Sequence, residues 1–249
     1  MSLNTPETPT DTTRPTVVLV HGAFAESSSW NDVIASLRSD GYPVIAAANP
    51  LRGLHADADY LRTVLDSVPG PIVVAGHSYG GSVMSQAADG HPQVKALVYV
   101  ASFILEAGES TGELAAKFPG GELGPALNAV PLLTGDGQDV TDLYIQQGRF
   151  RDVFAADVPQ DVSALMAVTQ RPIVADALEE KATRSAWKTI PSWNLVTLQD
   201  LAVPAESQRF MGERAGSHTV EVEASHAVAV SQPKVVARLI VEAALATSR

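Results

Sequence analysis

The stretch from Pro71 to Ala88 restricts the fold more than any other part of the chain. Pro71-Ile72-Val73-Val74-Ala75 is a short apolar run, which reads as a strand buried on both faces. Gly76-His77-Ser78-Tyr79-Gly80 follows, and Gly81 to Ala88 then reads as a helix packed closely on that strand. The chain must therefore pass from strand to helix within a residue or two, around Ser78. So sharp a turn strains the backbone of its middle residue and needs very small neighbours, which Gly76 and Gly80 supply. Strand, sharp turn and helix around G-x-S-x-G is the setting of a nucleophile elbow. It leaves the serine hydroxyl exposed at the carboxyl end of the strand, with the helix N-terminus beneath it.

The rest of the chain repeats that rhythm. Thr16 to Val20 is a buried strand, ending at His21-Gly22. Trp30, Val33, Ile34 and Leu37 fall at helical spacing, and Gly41-Tyr42-Pro43 stops that helix. Val44 to Ala47 is the next strand. Leu54, Ala58, Leu61, Leu65 and Val68 mark another amphipathic helix, and Ala96 to Val100 a fourth strand. Strand, crossover helix and strand in succession predict an α/β fold with a mostly parallel sheet and helices on both faces. Between about 106 and 191 the rhythm breaks. That stretch is punctuated by Gly and Pro, shows no convincing strand, and holds candidate helices near 111–118, 140–156, 160–169 and 173–186. Strands return at Trp193 to Leu198 and His218 to Val222, separated by a helix near 204–215. The last helix opens at Ser231-Gln232-Pro233. The expected organisation is a core domain of about six strands from 15–105 and 192–249, with 106–191 inserted as a helical cap. Residues 1–14, rich in Thr and Pro, read as a flexible leader.

Composition narrows the function classes. The net charge of −11, with no basic run, argues against nucleic acid and anionic membranes as partners. With no cysteine, disulfides, thiolate metal sites and a cysteine nucleophile are excluded. No apolar stretch is long enough to span a bilayer and no signal peptide is visible, so a cytoplasmic protein is expected. Neither an H-E-x-x-H motif nor clustered histidines point to a metal, and no cofactor is expected.

A serine hydroxyl becomes a useful nucleophile when a base takes its proton and a carboxylate orients that base. With an elbow of this type the partners follow in the order Ser, acid, His. Asp200 lies just beyond the strand that ends near Leu198, and His226 just beyond the strand that ends at Val222. Both fall at carboxyl ends of strands, where ligands gather in open parallel sheets. Ser78, His226 and Asp200 are thus the candidate catalytic residues, and Glu106, several residues beyond the fourth strand, is the rival acid. An oxyanion hole needs two N–H donors. The candidates are Tyr79, which follows the serine, and Ala23 in the loop after the first strand, with Phe24 second. His21 reads as a brace for that loop and His77 as pointing into the scaffold. His55, His91 and His218 read as loop or surface residues.

The chain resembles the α/β-hydrolase superfamily over residues 16–247. More closely it is similar to the small esterases that include plant methyl-ester esterases and hydroxynitrile lyases. The branch features are His21-Gly22-Ala23-Phe24 followed by Ser28-Ser29-Trp30, together with Ser225-His226 and Ser231-Gln232-Pro233. The resemblance implies the α/β-hydrolase fold. Relatives that are dehalogenases or epoxide hydrolases carry Asp at the nucleophile position, where this chain has Ser78. The lyases carry Lys directly after the catalytic histidine, where this chain has Ala227. A serine esterase acting on carboxylic esters, or on lactones or thioesters, is the resulting expectation. The alternatives are a cofactor-free perhydrolase or acyltransferase with the same triad, and a receptor-like protein that only binds. Phe24, Phe103, Phe150 and Phe154 are the candidate substrate-contacting residues. Phe118, Leu132, Leu165, Met166 and Trp187 could add to an apolar pocket or simply pack the cap, and the expected substrate is small and largely apolar. The oligomeric state is left open.

Overall fold

The structure, a computed structural model, describes residues 14–133 and 139–248. The expected leader lies almost wholly outside the described residues. In chain order the elements are β1 (Thr16–Val20), α1 (Asn31–Ser39), β2 (Val44–Ala47), α2 (Leu54–Asp66), β3 (Ile72–His77), α3 (Tyr79–Ala88) and β4 (Val94–Val100). Next come α4 (Thr111–Ala115), β5 (Leu127–Leu133), β6 (Asp139–Ile145), α5 (Gln147–Phe154), α6 (Gln160–Thr169), β7 (Ile173–Val174) and α7 (Asp176–Glu179). The chain ends with β8 (Ser192–Thr197), α8 (Ala205–Arg214), β9 (His218–Val222), α9 (Val228–Ser231) and α10 (Pro233–Ala246).

Six strands form the main sheet in the order β2-β1-β3-β4-β8-β9, and every pair is parallel. The apolar runs are explained by burial on both faces. Successive side chains of a strand point to opposite sides, so Val18, Val20, Ile72, Val74, Leu97 and Tyr99 share one core with α2, α3 and α8. Their neighbours Val17, Leu19, Val73, Ala75, Ala96 and Val98 share the other core with α1 and α10. The edge strand β9 is half-exposed, and its sequence alternates accordingly. No helix among the described residues is long and apolar enough to cross a membrane.

Between β4 and β8, which are adjacent in the sheet, the chain makes a long excursion. It is not purely helical, contrary to the sequence expectation. β5, β6 and β7 form a separate antiparallel three-stranded sheet. The expected helix 140–156 is split into β6 and α5, and 173–186 into β7 and the short α7. Pro131 sits within β5, an edge strand, where a missing N–H is tolerated. Leu114, Ile145, Phe150 and Ile173 from this excursion join the same core as β1, β3 and α2.

Candidate active site

β3 ends at His77 and α3 begins at Tyr79, leaving Ser78 alone at the turn with φ 54° and ψ −126°. The surrounding backbone holds this strained residue from both ends. Its N–H donates to the Val100 carbonyl at 3.2 Å, and its carbonyl accepts from Ser102 Oγ at 2.7 Å and from Gly81 N at 3.0 Å. The turn also lies hard against β1. A Cβ on Gly80 would stand 2.3 Å from the Val20 carbonyl oxygen, and one on Gly22 would stand 2.7 Å from Ser78 Cβ. Only glycine permits these approaches.

β8 and β9 deliver the other two groups. His226 Nδ1–H donates to Asp200 Oδ2 at 2.7 Å, and both residues are buried. That bond assigns the proton of a neutral imidazole to Nδ1 and leaves Nε2 as a lone-pair site. Ser78 and His226 line one cavity, so the third link is a shared wall rather than a hydrogen bond. Asp200 Oδ2 also accepts from Thr197 Oγ1 at 2.8 Å and Gln208 Nε2 at 3.0 Å, and Oδ1 accepts from Ala202 N and Val203 N, each at 2.8 Å. The rival acid Glu106 is elsewhere, ion-paired with Lys188. The loop carrying His226 is tied on both sides. Ala227 N donates to the Phe154 carbonyl at 2.9 Å, Ser225 Oγ to Asp157, and His77 Nε2–H to the His226 carbonyl at 2.9 Å.

Ala23 and Tyr79 both line the cavity. The second-choice donor, Phe24, is ruled out because its N–H is committed to the Arg171 carbonyl at 3.0 Å, on the segment leading into β7. Phe24 adopts φ 60° to make that link. Tyr79 is anchored through its side chain. Its hydroxyl donates to Asp57 Oδ2 at 2.9 Å, and burial pushes the Asp57 carboxyl above its ordinary range. Sequence reasoning did not find Asp57, Thr197 or Gln208. A T-x-x-D spacing at the end of β8 was the available signal for Thr197.

The cavity, ≈ 60 Å³ in volume, is walled mostly by apolar side chains, including Leu123, Leu127, Leu178 and Val203, with Thr111 also in the wall. Apart from His226, no ionisable side chain but Tyr79 faces it. Of the four predicted contact residues, Phe24, Phe103 and Phe154 line it. Phe150 does not. It is fully buried behind Phe154, ring centroids 5.0 Å apart. Leu132 and Leu165 are exposed and do not line the cavity, and Phe118 packs on Phe210. A larger groove of ≈ 490 Å³ lies between β5, β6 and α6, and none of the candidate catalytic residues lines it. Among the described residues no group of His, Asp and Glu could hold a metal ion.

His21 is buried, with Nδ1 2.9 Å from the Gly22 carbonyl, and Asn49 Nδ2 donates to the His21 carbonyl at 2.9 Å. This is the bracing position expected for it. His91, expected in a loop or at the surface, is in a loop but buried, with Nε2 3.2 Å from Asp66. Burial lowers His21 to about 4, and burial, then the nearby His226, lowers His77 well below its ordinary value. In the unfolded chain both titrate near 6.5. Between roughly pH 6.5 and 4 the unfolded state therefore binds protons that the folded state refuses, so stability falls as pH drops. His21 alone costs roughly 3 kcal/mol across that window. Asp57 opposes this, since its raised folded value favours the folded state at low pH. Burial also lowers His91, so three histidines stand against one carboxyl, and Tm is expected to fall by several degrees from pH 7 to pH 5 in calorimetry. A constant Tm over that range would contradict the buried neutral histidines.

Comparison with known proteins follows the same lines. The model of the Alpha/beta hydrolase family matches residues 17–239. A putative chloroplastic methylesterase 11 from Arabidopsis thaliana is 25% identical over 91% of this chain and 63% of that protein. A pyrethroid hydrolase from Sphingobium wenxiniae is 27% identical over 91% of this chain and 86% of that protein. The crystal structure of polyneuridine aldehyde esterase superposes with a TM-score of 0.80 at 19% identity, over 92% of this chain and 98% of that one.

Proposed function

The chain belongs to the alpha/beta hydrolase family, and on that premise we propose that it is a serine hydrolase cleaving carboxylic esters of small, uncharged, largely apolar substrates. The observation that carries this reading is the Asp200–His226 hydrogen bond of 2.7 Å, made by a histidine that shares one apolar cavity with the strained Ser78. His226 Nε2 takes the proton of Ser78 as Oγ attacks the ester carbonyl. The N–H groups of Ala23 and Tyr79 hold the developing oxyanion. His226 then gives its proton to the leaving alkoxide, and the alcohol departs. A water, losing a proton to the same nitrogen, attacks the acyl-enzyme and releases the acid and free Ser78. The excursion 106–191 serves as the cap, since Leu123, Leu127, Phe154 and Leu178 supply the cavity's outer wall. Named esterases and hydrolases among the relatives support the reaction type. A charged substrate is disfavoured, because nothing in the apolar wall would compensate its desolvation.

The test is turnover of a short-chain aryl ester by purified protein, with intact-mass analysis after an organophosphonate probe. One adduct, mapped to Ser78 and accompanied by loss of turnover, is expected. Absence of both turnover and adduct would reject the reading and favour a protein that only binds its ligand.

A further inference from the structure

The acid arm of the site contains a side chain whose arrangement goes beyond packing. Asp200 is buried, and a buried carboxylate needs donors. Two of them, Ala202 N and Val203 N, come with the backbone turn after β8 and bind Oδ1. The two side-chain donors, Thr197 Oγ1 and Gln208 Nε2, instead bind Oδ2, the oxygen that faces His226. Gln208 lies on α8 and is fully buried. Its amide cannot be flipped without loss. Oε1 accepts from Thr197 N at 3.0 Å, while Nε2 donates to the Val203 carbonyl at 2.7 Å and lies 2.9 Å from Thr197 Oγ1. The two Nε2 protons serve the Val203 carbonyl and Asp200 Oδ2, and the Thr197 hydroxyl donates its own proton to Asp200 Oδ2 at 2.8 Å.

Resting on the triad reading above, we propose that Gln208 is a positioning residue for catalysis. Acting with Thr197, it aims Asp200 Oδ2 at His226 and stabilises the negative charge the site needs. The amide chemistry is specific. A carboxylate at 208 would set oxygen against oxygen at both Val203 and Asp200. An apolar side chain of the same length would leave Asp200 short of a donor. In either case the carboxylate becomes a stronger partner for the imidazolium than for the imidazole, so more base is needed to free the catalytic nitrogen. The other titratable or charged groups around the cluster are His77, 4.6 Å from the His226 ring, and Asp157, bonded to Ser225. Farther out are Glu223, bonded to Gln199, Arg209, paired with Glu221, and Glu206 on α8. None of these contacts Asp200, so its charge is governed by the neutral donors.

The experiment compares wild type with Gln208→Glu and Gln208→Met on one aryl ester from pH 5 to 9, with folding followed by circular dichroism and Tm. Gln208→Met is expected to lower kcat roughly 10- to 100-fold, the range set by one hydrogen bond to a charged group, with KM within about threefold. Gln208→Glu should lower it further, and both should move the rising limb of kcat/KM to higher pH. Folded Gln208 variants with an unmoved limb, or with a change confined to KM, overturn the proposal. If neither variant folds, the Thr197 pair decides. Thr197→Val should lose kcat and Thr197→Ser should recover most of it, whereas full kcat in folded Thr197→Val overturns the proposal. Wild-type turnover and Ser78 phosphonylation, measured alongside, separate failure of this inference from failure of the triad reading.

Discussion

Ser78→Ala is expected to lower kcat toward an aryl ester by about 10⁴- to 10⁶-fold while leaving the protein folded. The substitution removes Oγ alone. The bonds that hold the turn, from Ser78 N to Val100 and from Ser102 Oγ, Gly81 N and Phe103 N to the Ser78 carbonyl, all engage the Ser78 backbone and survive the change. Alanine pays about the same strain as serine at φ 54°, since both carry a Cβ, and that Cβ keeps its contact against Gly22. Tm should therefore stay within a degree or two of wild type. The activity that remains should come from the Ala23 and Tyr79 donors and from substrate binding, which do not need the hydroxyl. A folded Ser78→Ala protein that keeps more than about a hundredth of the activity would place the nucleophile elsewhere.

How much of this was legible in the sequence depended on whether a residue's role followed from its chemistry or from its surroundings. β1, β3 and β4 were legible because burial on both faces leaves little but Val, Ile, Leu and Ala in them. Ser78, Asp200 and His226 were legible because each combines a reactive group with the end of such a strand, and the structure brings the last two within 2.7 Å. The small sheet of the excursion was not. β6 has apolar residues at Val140 and Leu143 that also fit a helix running on into Phe150 and Phe154. β5 carries Pro131, which demotes a strand unless it lies at an edge. Phe150 shows a different limit. An aromatic residue announces burial, but whether it meets ligand or its neighbour Phe154 is decided by a rotation of α5 that no local pattern encodes. The Phe24 amide was undecidable for the same reason, because its acceptor, the Arg171 carbonyl, is far away in sequence. Gln208 has the plainest appearance of all, a polar residue in a surface-like helix sequence. Its role exists only because α8 packs that face against the end of β8.

Asp200→Asn is expected to lower kcat by roughly 10³- to 10⁴-fold, and the hydrogen bonds around Asp200 give the reason. The backbone donors Ala202 N and Val203 N are fixed and require an acceptor at the Oδ1 position. Asparagine meets that requirement by turning its carbonyl oxygen toward them, which sends its NH₂ group to the Oδ2 position. There it faces His226 Nδ1, which must now accept instead of donate. The imidazole proton moves to Nε2, the nitrogen that faces the cavity, and the base that should receive the Ser78 proton is occupied. The same NH₂ group also meets the donors of Thr197 and Gln208, so a Tm loss of a few degrees should accompany the kinetic defect. Glu106→Gln is the matched control, because Glu106 faces Lys188 rather than His226. It should leave kcat within about twofold. The two variants can be read on one aryl ester under saturating substrate. Near-normal activity in Asp200→Asn together with a large loss in Glu106→Gln would transfer the acid role to Glu106. The expected opposite result would tie the rate to which nitrogen of His226 carries the proton.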